Sequence, residues 1–217
     1  MTVSPATSAE SLYEGRAAAY ERAASIRWAA HARRLAIERL DLGPGESVLD
    51  VACGPGINLP GLRDGVGDSG RIVAFDVSAD MIAVARQRIS VHGWSNVHAV
   101  HAAAEHLALD GPVDAALLSF THDIMQSPAS LGPVLAAVRP GGRIVVAGAM
   151  HAWPWAWPVS VALAISTRAY ATTRGGFARP WAELEGRTRI EELRRPRRYL
   201  GAIYVLRARS PRRARTT

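Results

Sequence analysis

Lysine is missing from this 217-residue chain, in which all 26 basic residues are arginines. The absence indicates a coding bias of the source genome, so the arginines by themselves are weak grounds for assigning function. Cysteine occurs once, at Cys53, which excludes an internal disulfide and a cysteine-rich zinc site. Residues 1–10 also lack the basic and apolar regions of a secretory signal. We therefore expect a cytoplasmic protein and predict no metal site.

Charge is missing from residues 144–167, which contain no Asp, Glu or Arg. A membrane-spanning helix needs about 20 apolar residues, so the length of this stretch suits a span. Two features argue against one. Residues 140–142 are Pro-Gly-Gly, typical of a turn that leads into a buried strand, and Pro154 and Pro158 interrupt the second half of the stretch. We therefore predict a strand and then an apolar loop or lid that carries the three tryptophans of residues 153–157.

Short apolar runs alternate with helical patterns along the chain. This alternation indicates an α/β fold with a doubly wound, Rossmann-like sheet of mainly parallel strands. The predicted strands are Ser47–Val51, Arg71–Phe75, Asn96–Val100, Val113–Phe120 and Arg143–Ala147. The predicted helices are residues 8–40, Asp80–Val91 and Ser127–Val138. In the last of these, Ser127 is placed to cap the helix and Pro128 to occupy its first position.

Two runs near the end of the chain, Arg189–Leu193 and Tyr199–Leu206, resemble strands. Only a few residues separate them, so no crossover helix fits between them. We therefore predict that they pair as a C-terminal antiparallel hairpin. Dinucleotide-binding sheets do not usually end in this way.

A glycine-containing loop, Ala52-Cys53-Gly54-Pro55-Gly56, comes after the first predicted strand. The nicotinamide fingerprint G-x-G-x-x-G fails here, because Leu59 stands at the third glycine position. Residues 50–56 instead resemble the D-x-G-x-G-x-G loop of class I S-adenosylmethionine-dependent methyltransferases, with Ala52 in place of the first glycine. The terminal hairpin is also similar to the end of that family's sheet. The resemblance implies a methyltransferase that binds S-adenosylmethionine.

The resemblance also implies where the cofactor binds. Asp76, at the end of the second strand, is expected to accept hydrogen bonds from both ribose hydroxyls, an arrangement that suits a carboxylate. Glu105 is expected to recognise the adenine amino group, unless backbone groups alone do so. Cys53 is interpreted as a packed residue and not as a nucleophile. The residues assigned to the cofactor are Tyr20, Asp50, Ala52, Gly54, Gly56, Asn58, Asp76, Val77, Met81, Ala104, Glu105, Ser119 and Phe120.

Three of these assignments rest on general features of the family. Val77 and Met81 are expected to pack on the adenine. Tyr20 is expected either to cover the methionine part of the cofactor or to belong to the packed face of an amphipathic helix.

At the end of the fourth strand, His122 is a candidate general base, since its ordinary pKa is near neutrality, and Asp123 is a candidate to orient it or an acceptor amine. The alternative is a polar loop without a catalytic role.

We expect one domain over residues 1–217, with a helical cap at 1–42, an insertion at 151–185 that forms the acceptor pocket, and a basic tail at 210–217. The apolar aromatic insertion suits a small apolar or amphipathic acceptor, with methylation on N or O favoured. Residues 168–181, together with residues 199–204, have a weaker similarity to phospholipid N-methylating and quinone-methylating enzymes. This similarity leaves open an acceptor at the membrane surface, with peripheral contact by the protein.

The alternative from another class is an RNA-binding protein with a degenerate methyltransferase fold. Only the arginine-rich C-terminus supports it, because no RNA-binding motif accompanies those arginines. We therefore do not favour a nucleic-acid partner. The sequence leaves the oligomeric state undetermined.

Overall fold

The computed structural model describes residues 26–167 and 175–211, with the backbone alone for residues 163–167. The strands of this part are β1 (Ser47–Val51), β2 (Arg71–Asp76), β3 (Val97–His101), β4 (Val113–Ser119), β5 (Val138–Ala149), β6 (Arg189–Arg194) and β7 (Ile203–Arg209). Its helices are α1 (Arg27–Leu40), α2 (Leu59–Val66), α3 (Ala79–His92), α4 (His122–Met125), α5 (Pro128–Ala136), α6 (Trp157–Thr167) and α7 (Ala182–Glu185).

The described strands form one seven-stranded sheet in the order β3-β2-β1-β4-β5-β7-β6. Pairings from β3 to β5 are parallel, whereas β7 runs antiparallel to both β5 and β6. The predicted parallel sheet with a C-terminal antiparallel hairpin is therefore confirmed. The strand order reverses beside β1, so the loops after β1 and β4 lie at the switch point where ligands bind in open α/β sheets.

Each face of the sheet has its own hydrophobic core, because neighbouring residues of a strand point to opposite faces. Val48 packs in the core beneath α1, α2 and α3. Leu49, the next residue of β1, packs in the core that contains side chains of α4, α5 and α7. Helices therefore cover both faces, as the doubly wound arrangement requires.

Several predicted boundaries agree closely with the structure. β1 has the predicted bounds, and α3 is one residue longer than predicted at each end. The predicted cap of α5 is present, since the Ser127 hydroxyl accepts a hydrogen bond from the Ser130 amide at 3.2 Å and Pro128 opens the helix. The N-terminal part of the predicted helix, residues 8–25, lies outside the described residues.

One predicted element was wrong, and two predicted strands begin at other residues in the structure. Residues 157–167 form α6, where a loop or lid was predicted, because Pro158 lies in the first helical turn, where its missing amide costs no hydrogen bond. The strand predicted from Tyr199 begins only at Ile203, because Leu200 and Gly201 adopt left-handed backbone conformations with φ of 51° and 75°. β5 also begins earlier than predicted, at Val138, with a register shift before Arg143.

Among residues 26–167 and 175–211, no helix combines the length and the apolar character that a membrane span needs.

Candidate functional site

The loop after β1 has an unusual backbone that brings its amides to the edge of the sheet. Gly54 and Gly56 have φ of 55° and 78°, which favour glycine, and Ala52 has φ of 48°. A side chain at Gly56 would also collide with Leu59, since a Cβ there would lie 2.7 Å from its Cδ1 atom. The family's usual glycine at position 52 thus has a physical reason, and this chain places a strained alanine there.

Hydrogen bonds hold the glycine loop, which we define as residues 52–58, against its neighbours. The Cys53 amide donates to the Phe75 carbonyl at 2.9 Å. The Gly54 amide donates to Asp76 Oδ2 at 2.8 Å, and Arg88 Nε donates to the Pro55 carbonyl at 3.2 Å. The loop is therefore tied to the end of β2 and to α3.

Asp76 is buried at the end of β2 and orders two backbone segments at once. Its Oδ2 atom accepts from Gly54, and its Oδ1 atom accepts from the Ser78 amide at 2.9 Å. Burial raises the pKa of Asp76, while the amides of Ser78 and Gly54 oppose that rise. A carboxylate has about four lone-pair positions, so each oxygen retains acceptor capacity beyond these two bonds. The Ser78 hydroxyl caps α3 by accepting from the Met81 amide at 3.4 Å.

Asp50 lies fully buried in β1, on the face of the sheet that packs against α1 and α2. Its Oδ1 atom accepts a hydrogen bond from Asn58 Nδ2 at 3.0 Å. Burial raises the pKa of the Asp50 carboxyl to about 7, whereas Asn58 and the charge of Arg33 act in the opposite direction. Neither Asp50 Oδ2 nor Asn58 Oδ1 has a hydrogen-bond partner among the described residues.

The end of β4 adds two further buried oxygens. Ser119 Oγ and Thr121 Oγ1 have no hydrogen-bond partner in the described part of the chain. Between them, Phe120 has a left-handed backbone with φ of 61°, and its amide donates to the Ala147 carbonyl at 2.8 Å. Ser119 and Phe120 were predicted to lie at the site, whereas Thr121 was not assigned to the cofactor.

Arg33 is a further candidate site residue, which the residue patterns did not predict. It is buried on α1, with its guanidinium carbon 4.9 Å from the centre of the Phe120 ring. Trp28, also on α1, packs edge-on against the same ring at 5.6 Å. Arg33 follows Ala29 by four residues on the apolar face of α1, and a charge on that face was the available signal. It was obscured because arginine is so frequent in this chain.

The residues assigned to the adenine lie around α3 and the turn after β3. Met81 is buried and Val77 is half-buried. Ala104 and Glu105 lie in a short helical turn, Ala104–His106, and Glu105 Oε1 accepts a hydrogen bond from the Ser130 hydroxyl at 2.7 Å. Their contacts with adenine stay predictions. The predicted Tyr20 lies outside the described residues.

His122 begins α4, and a distant segment holds its side chain. Its Nε2 atom lies 2.7 Å from the Gly175 carbonyl, and its ring stacks on Phe177 with centres 4.0 Å apart. A carbonyl only accepts hydrogen bonds, so Nε2 carries the proton and the lone pair of a neutral ring lies on Nδ1. The catalytic roles of His122 and Asp123 stay predictions.

Residues 175–181 bridge α4 and the end of β5. Gln126 Nε2 donates to the Pro180 carbonyl at 3.0 Å, and the His151 amide donates to the Phe177 carbonyl at 2.9 Å. Phe177 was not predicted as a site residue. Only its position in the predicted insertion could have indicated a role, because the stack on His122 joins residues that are far apart in the chain.

Comparison with known proteins is consistent with this geometry. Residues 48–142 match the family model described as a methyltransferase domain. The ubiquinone/menaquinone biosynthesis C-methyltransferase UbiE of Hahella chejuensis is 32% identical over 117 residues, covering 52% of this chain and 47% of that protein. The demethylmenaquinone methyltransferase of Beutenbergia cavernae is 35% identical over 126 residues, covering 57% and 49%. The chain thus spans about half the length of these curated relatives.

Two solved structures share the fold over most of their length. The N-methyltransferase NodS of Bradyrhizobium japonicum, in complex with S-adenosylhomocysteine, matches with a TM-score of 0.66 at 17% identity, covering 88% of this chain and 91% of that one. The [4+2]-cyclase SpnF matches with a TM-score of 0.59 at 20% identity, covering 85% and 81%. At such identities the likeness shows the fold alone. Since these two proteins are named for different reactions, the chemistry must be argued from the residues of the site.

Proposed function

We propose that this protein, whose residues 48–142 match a methyltransferase domain, is a class I S-adenosylmethionine-dependent methyltransferase that transfers a methyl group to a small apolar or amphipathic acceptor. N- or O-methylation is the form that we favour. The observation that carries the proposal is the pair formed by the glycine loop and Asp76. The loop leaves room for close approach of a ligand, and the buried carboxylate beside it has unused acceptor capacity.

The residues present fit the cofactor. Asp76 would accept from the two ribose hydroxyls with the acceptor positions that Gly54 and Ser78 leave free. Four oxygens without a hydrogen-bond partner among the described residues are available. They belong to Asp50 in β1, to Asn58 directly before α2, and to Ser119 and Thr121 at the end of β4. These acceptors suit the ammonium of the methionine moiety, because a buried oxygen without a donor is costly. When bound, S-adenosylmethionine supplies a methyl group already activated by its sulfonium.

The protein's own contribution to the reaction is then mainly positioning. Asp50 lies where a positive ligand charge would favour its ionised form, against the burial that raises its pKa. His122, with its Nε2 proton directed to Gly175, has Nδ1 left to take a proton from an acceptor hydroxyl or ammonium. The stack on Phe177 fixes the ring orientation that such a transfer needs.

A second candidate is methylation of a quinone or phospholipid at the membrane surface. The two relatives named above support the quinone form, since both are named for the methylation of quinones or their precursors. The acceptor atom would then be carbon. An RNA-binding function has only the C-terminal arginines in its favour, and residues 212–217 lie outside the described part of the chain.

The test has two stages. Calorimetry should show binding of S-adenosylhomocysteine and no binding of NAD, whose fingerprint the loop lacks. Tritium transfer from S-[methyl-³H]adenosylmethionine is then measured with phenols, amines and demethylated quinols, and mass spectrometry identifies the methylated atom. Failure to bind S-adenosylhomocysteine would contradict the proposal. Transfer to a quinol ring carbon alone would select the second candidate.

A further inference from the structure

The segment of residues 154–162 presents large apolar side chains to solvent. Trp155 and Trp157 are 68% and 67% exposed, and Val161 is 48% exposed. On α6, Trp157 and Val161 are one turn apart and therefore lie on one face of the helix. A surface helix normally turns its apolar side to the core and its polar side to water. In the described turns of α6 the outward side is the apolar one.

The inward side of α6 is attached to the rest of the protein. The Ser160 hydroxyl accepts a hydrogen bond from the Ala152 amide at 2.9 Å. Val159 packs against the small buried cluster of Ala152, Ala156 and Ala202. The outward direction of Trp157 and Val161 is therefore set by contacts of the neighbouring residues.

An arginine-rich loop lies against the base of this segment. The Trp153 amide donates to the Leu200 carbonyl at 2.9 Å, and Arg195 Nη2 donates to the His151 carbonyl at 2.9 Å. Residues 194–198 contain four arginines around one proline, and Arg197 and Arg198 are exposed. The exposed tryptophans and these cations therefore belong to one side of the molecule.

This side of the molecule is rich in arginine. The described residues that form it, 151–162 and 193–199, contain no Asp or Glu, and Arg194 forms an ion pair with Glu192 of β6. Arginine near an anionic leaflet strengthens membrane binding by about fivefold per residue, and tryptophan is enriched at the membrane–water interface. The described part of α6 has 11 residues, and its exposed Trp157 and Val161 lie on one face, which suits a position in the plane of the interface.

We propose that residues 154–162 and 194–198, here called the Trp–Arg surface, dock the protein peripherally on an anionic membrane surface. Trp155, Trp157 and Val161 enter the interface, while Arg197 and Arg198 contact lipid phosphates. This inference goes beyond methyl transfer and does not depend on it, since docking is measured without cofactor or acceptor. An amphipathic acceptor held in a membrane would reach the protein from the side of this surface.

The test is flotation of the full chain with vesicles of phosphatidylcholine and phosphatidylglycerol, and with vesicles of phosphatidylcholine alone. The wild-type protein should float with the anionic vesicles and be released by salt. Trp155→Ala/Trp157→Ala should abolish flotation and the blue shift of tryptophan fluorescence on vesicle addition. Arg197→Gln/Arg198→Gln should weaken binding to anionic vesicles by about 30-fold.

Two control variants match these changes elsewhere. Arg187→Gln/Arg189→Gln removes the same amount of charge at the opposite end of β6. Arg189 opens this strand and Arg187 lies just before it, and the two side chains form ion pairs with Glu191 and Glu183. Val91→Ser removes an apolar side chain that is 76% exposed on α3. Both controls should float like the wild type. All variants alter exposed side chains, and circular dichroism checks that each is folded.

Three results would overturn the proposal. The first is equal flotation of the Trp155→Ala/Trp157→Ala variant and the wild type. The second is an equal loss of binding in the Arg197→Gln/Arg198→Gln variant and in the Arg187→Gln/Arg189→Gln control, since binding would then follow net charge alone. The third is self-association without vesicles that the tryptophan changes remove, because a second copy of the chain would then cover this surface.

Discussion

The glycine loop and the region around His122 both follow parallel strands at the same end of the sheet, but they are built in different ways. The loop is held by backbone amides, Asp76 and Arg88, all within one β-α-β-α stretch of the chain. His122 is held by Gly175 and Phe177, which lie more than fifty residues further along the chain. A site formed by a continuous motif can be read from the order of residues, whereas one formed by distant segments becomes visible only when the chain is folded.

Replacing Asp76 with alanine should have the largest effect on ligand binding at the glycine loop. The change removes an acceptor from Gly54 and Ser78 and, in our proposal, two hydrogen bonds to the ribose. Hydrogen bonds to charged groups contribute about 1.5–3 kcal/mol each. We therefore expect the affinity for S-adenosylhomocysteine to fall by at least about 100-fold in calorimetry.

Asp114→Ala is the matched control for that variant. Asp114 also accepts from a backbone amide, that of Ser47 at 2.8 Å, but at the opposite end of β1. Its loss should reduce stability and leave the affinity for S-adenosylhomocysteine unchanged. If the two variants lose affinity equally, Asp76 acts only through the fold and the ribose assignment is wrong.

Asp50, beside the glycine loop, makes the free energy of unfolding depend on pH. Its pKa is about 7 in the folded protein and 3.8 ordinarily, so between about pH 4 and pH 7 the folded state keeps a proton that the unfolded chain has released. The free energy of unfolding should therefore fall as pH rises through this range, by about 4 kcal/mol from this group, and then level off.

Asp50→Asn should remove most of that slope in denaturant titrations at several pH values. Asp76, whose pKa is also raised by burial, contributes a slope of the same sign that the variant keeps. An unchanged slope in Asp50→Asn would show that the Asp50 carboxyl ionises near its ordinary pKa in the folded protein.

His122→Ala tests the other side of the comparison. If Nδ1 takes a proton from the acceptor, kcat should fall by about 100-fold and its pH profile should change, with no effect on the affinity for S-adenosylhomocysteine. Phe177→Leu keeps the imidazole but removes the ring stack, so its effect should be smaller and in the same direction. Wild-type kinetics in His122→Ala would remove His122 from the mechanism.

Ala52→Gly should have the smallest effect. A left-handed alanine is strained by about 1 kcal/mol, while glycine adds entropy to the unfolded chain that offsets roughly half or more of that gain. We expect a stabilisation of about 0.5 kcal/mol in chemical denaturation. The same change at Ala83, exposed within α3, should instead destabilise by about 1 kcal/mol. Destabilisation at both positions would contradict the strain assigned to Ala52.

Local patterns predicted much of the fold for physical reasons that can be named. The alternation of apolar runs and helical patterns placed β1 to β4 to within one or two residues. β1, β2 and β4 are nearly continuous apolar runs because they are buried on both faces, whereas β3 lies at the edge of the sheet with His98 and Val100 exposed. Ser127 and Pro128 predicted the start of α5, because helix capping is a local interaction. The prediction for residues 157–167 was wrong, because Pro158 was interpreted as a helix breaker without knowing where the helix began.

The sequence by itself determined the order of the strands along the chain, the glycine loop and the place of Asp76 at the end of β2, since each depends on neighbours in the chain. Only the tertiary structure decided which distant groups meet. It placed Arg33 against Phe120, raised the pKa of Asp50 by burial, and joined His122 to Phe177. It also turned Trp155 and Trp157 outward beside the arginines of residues 194–198. These features depend on burial and on contacts across the fold, which local residue patterns do not contain.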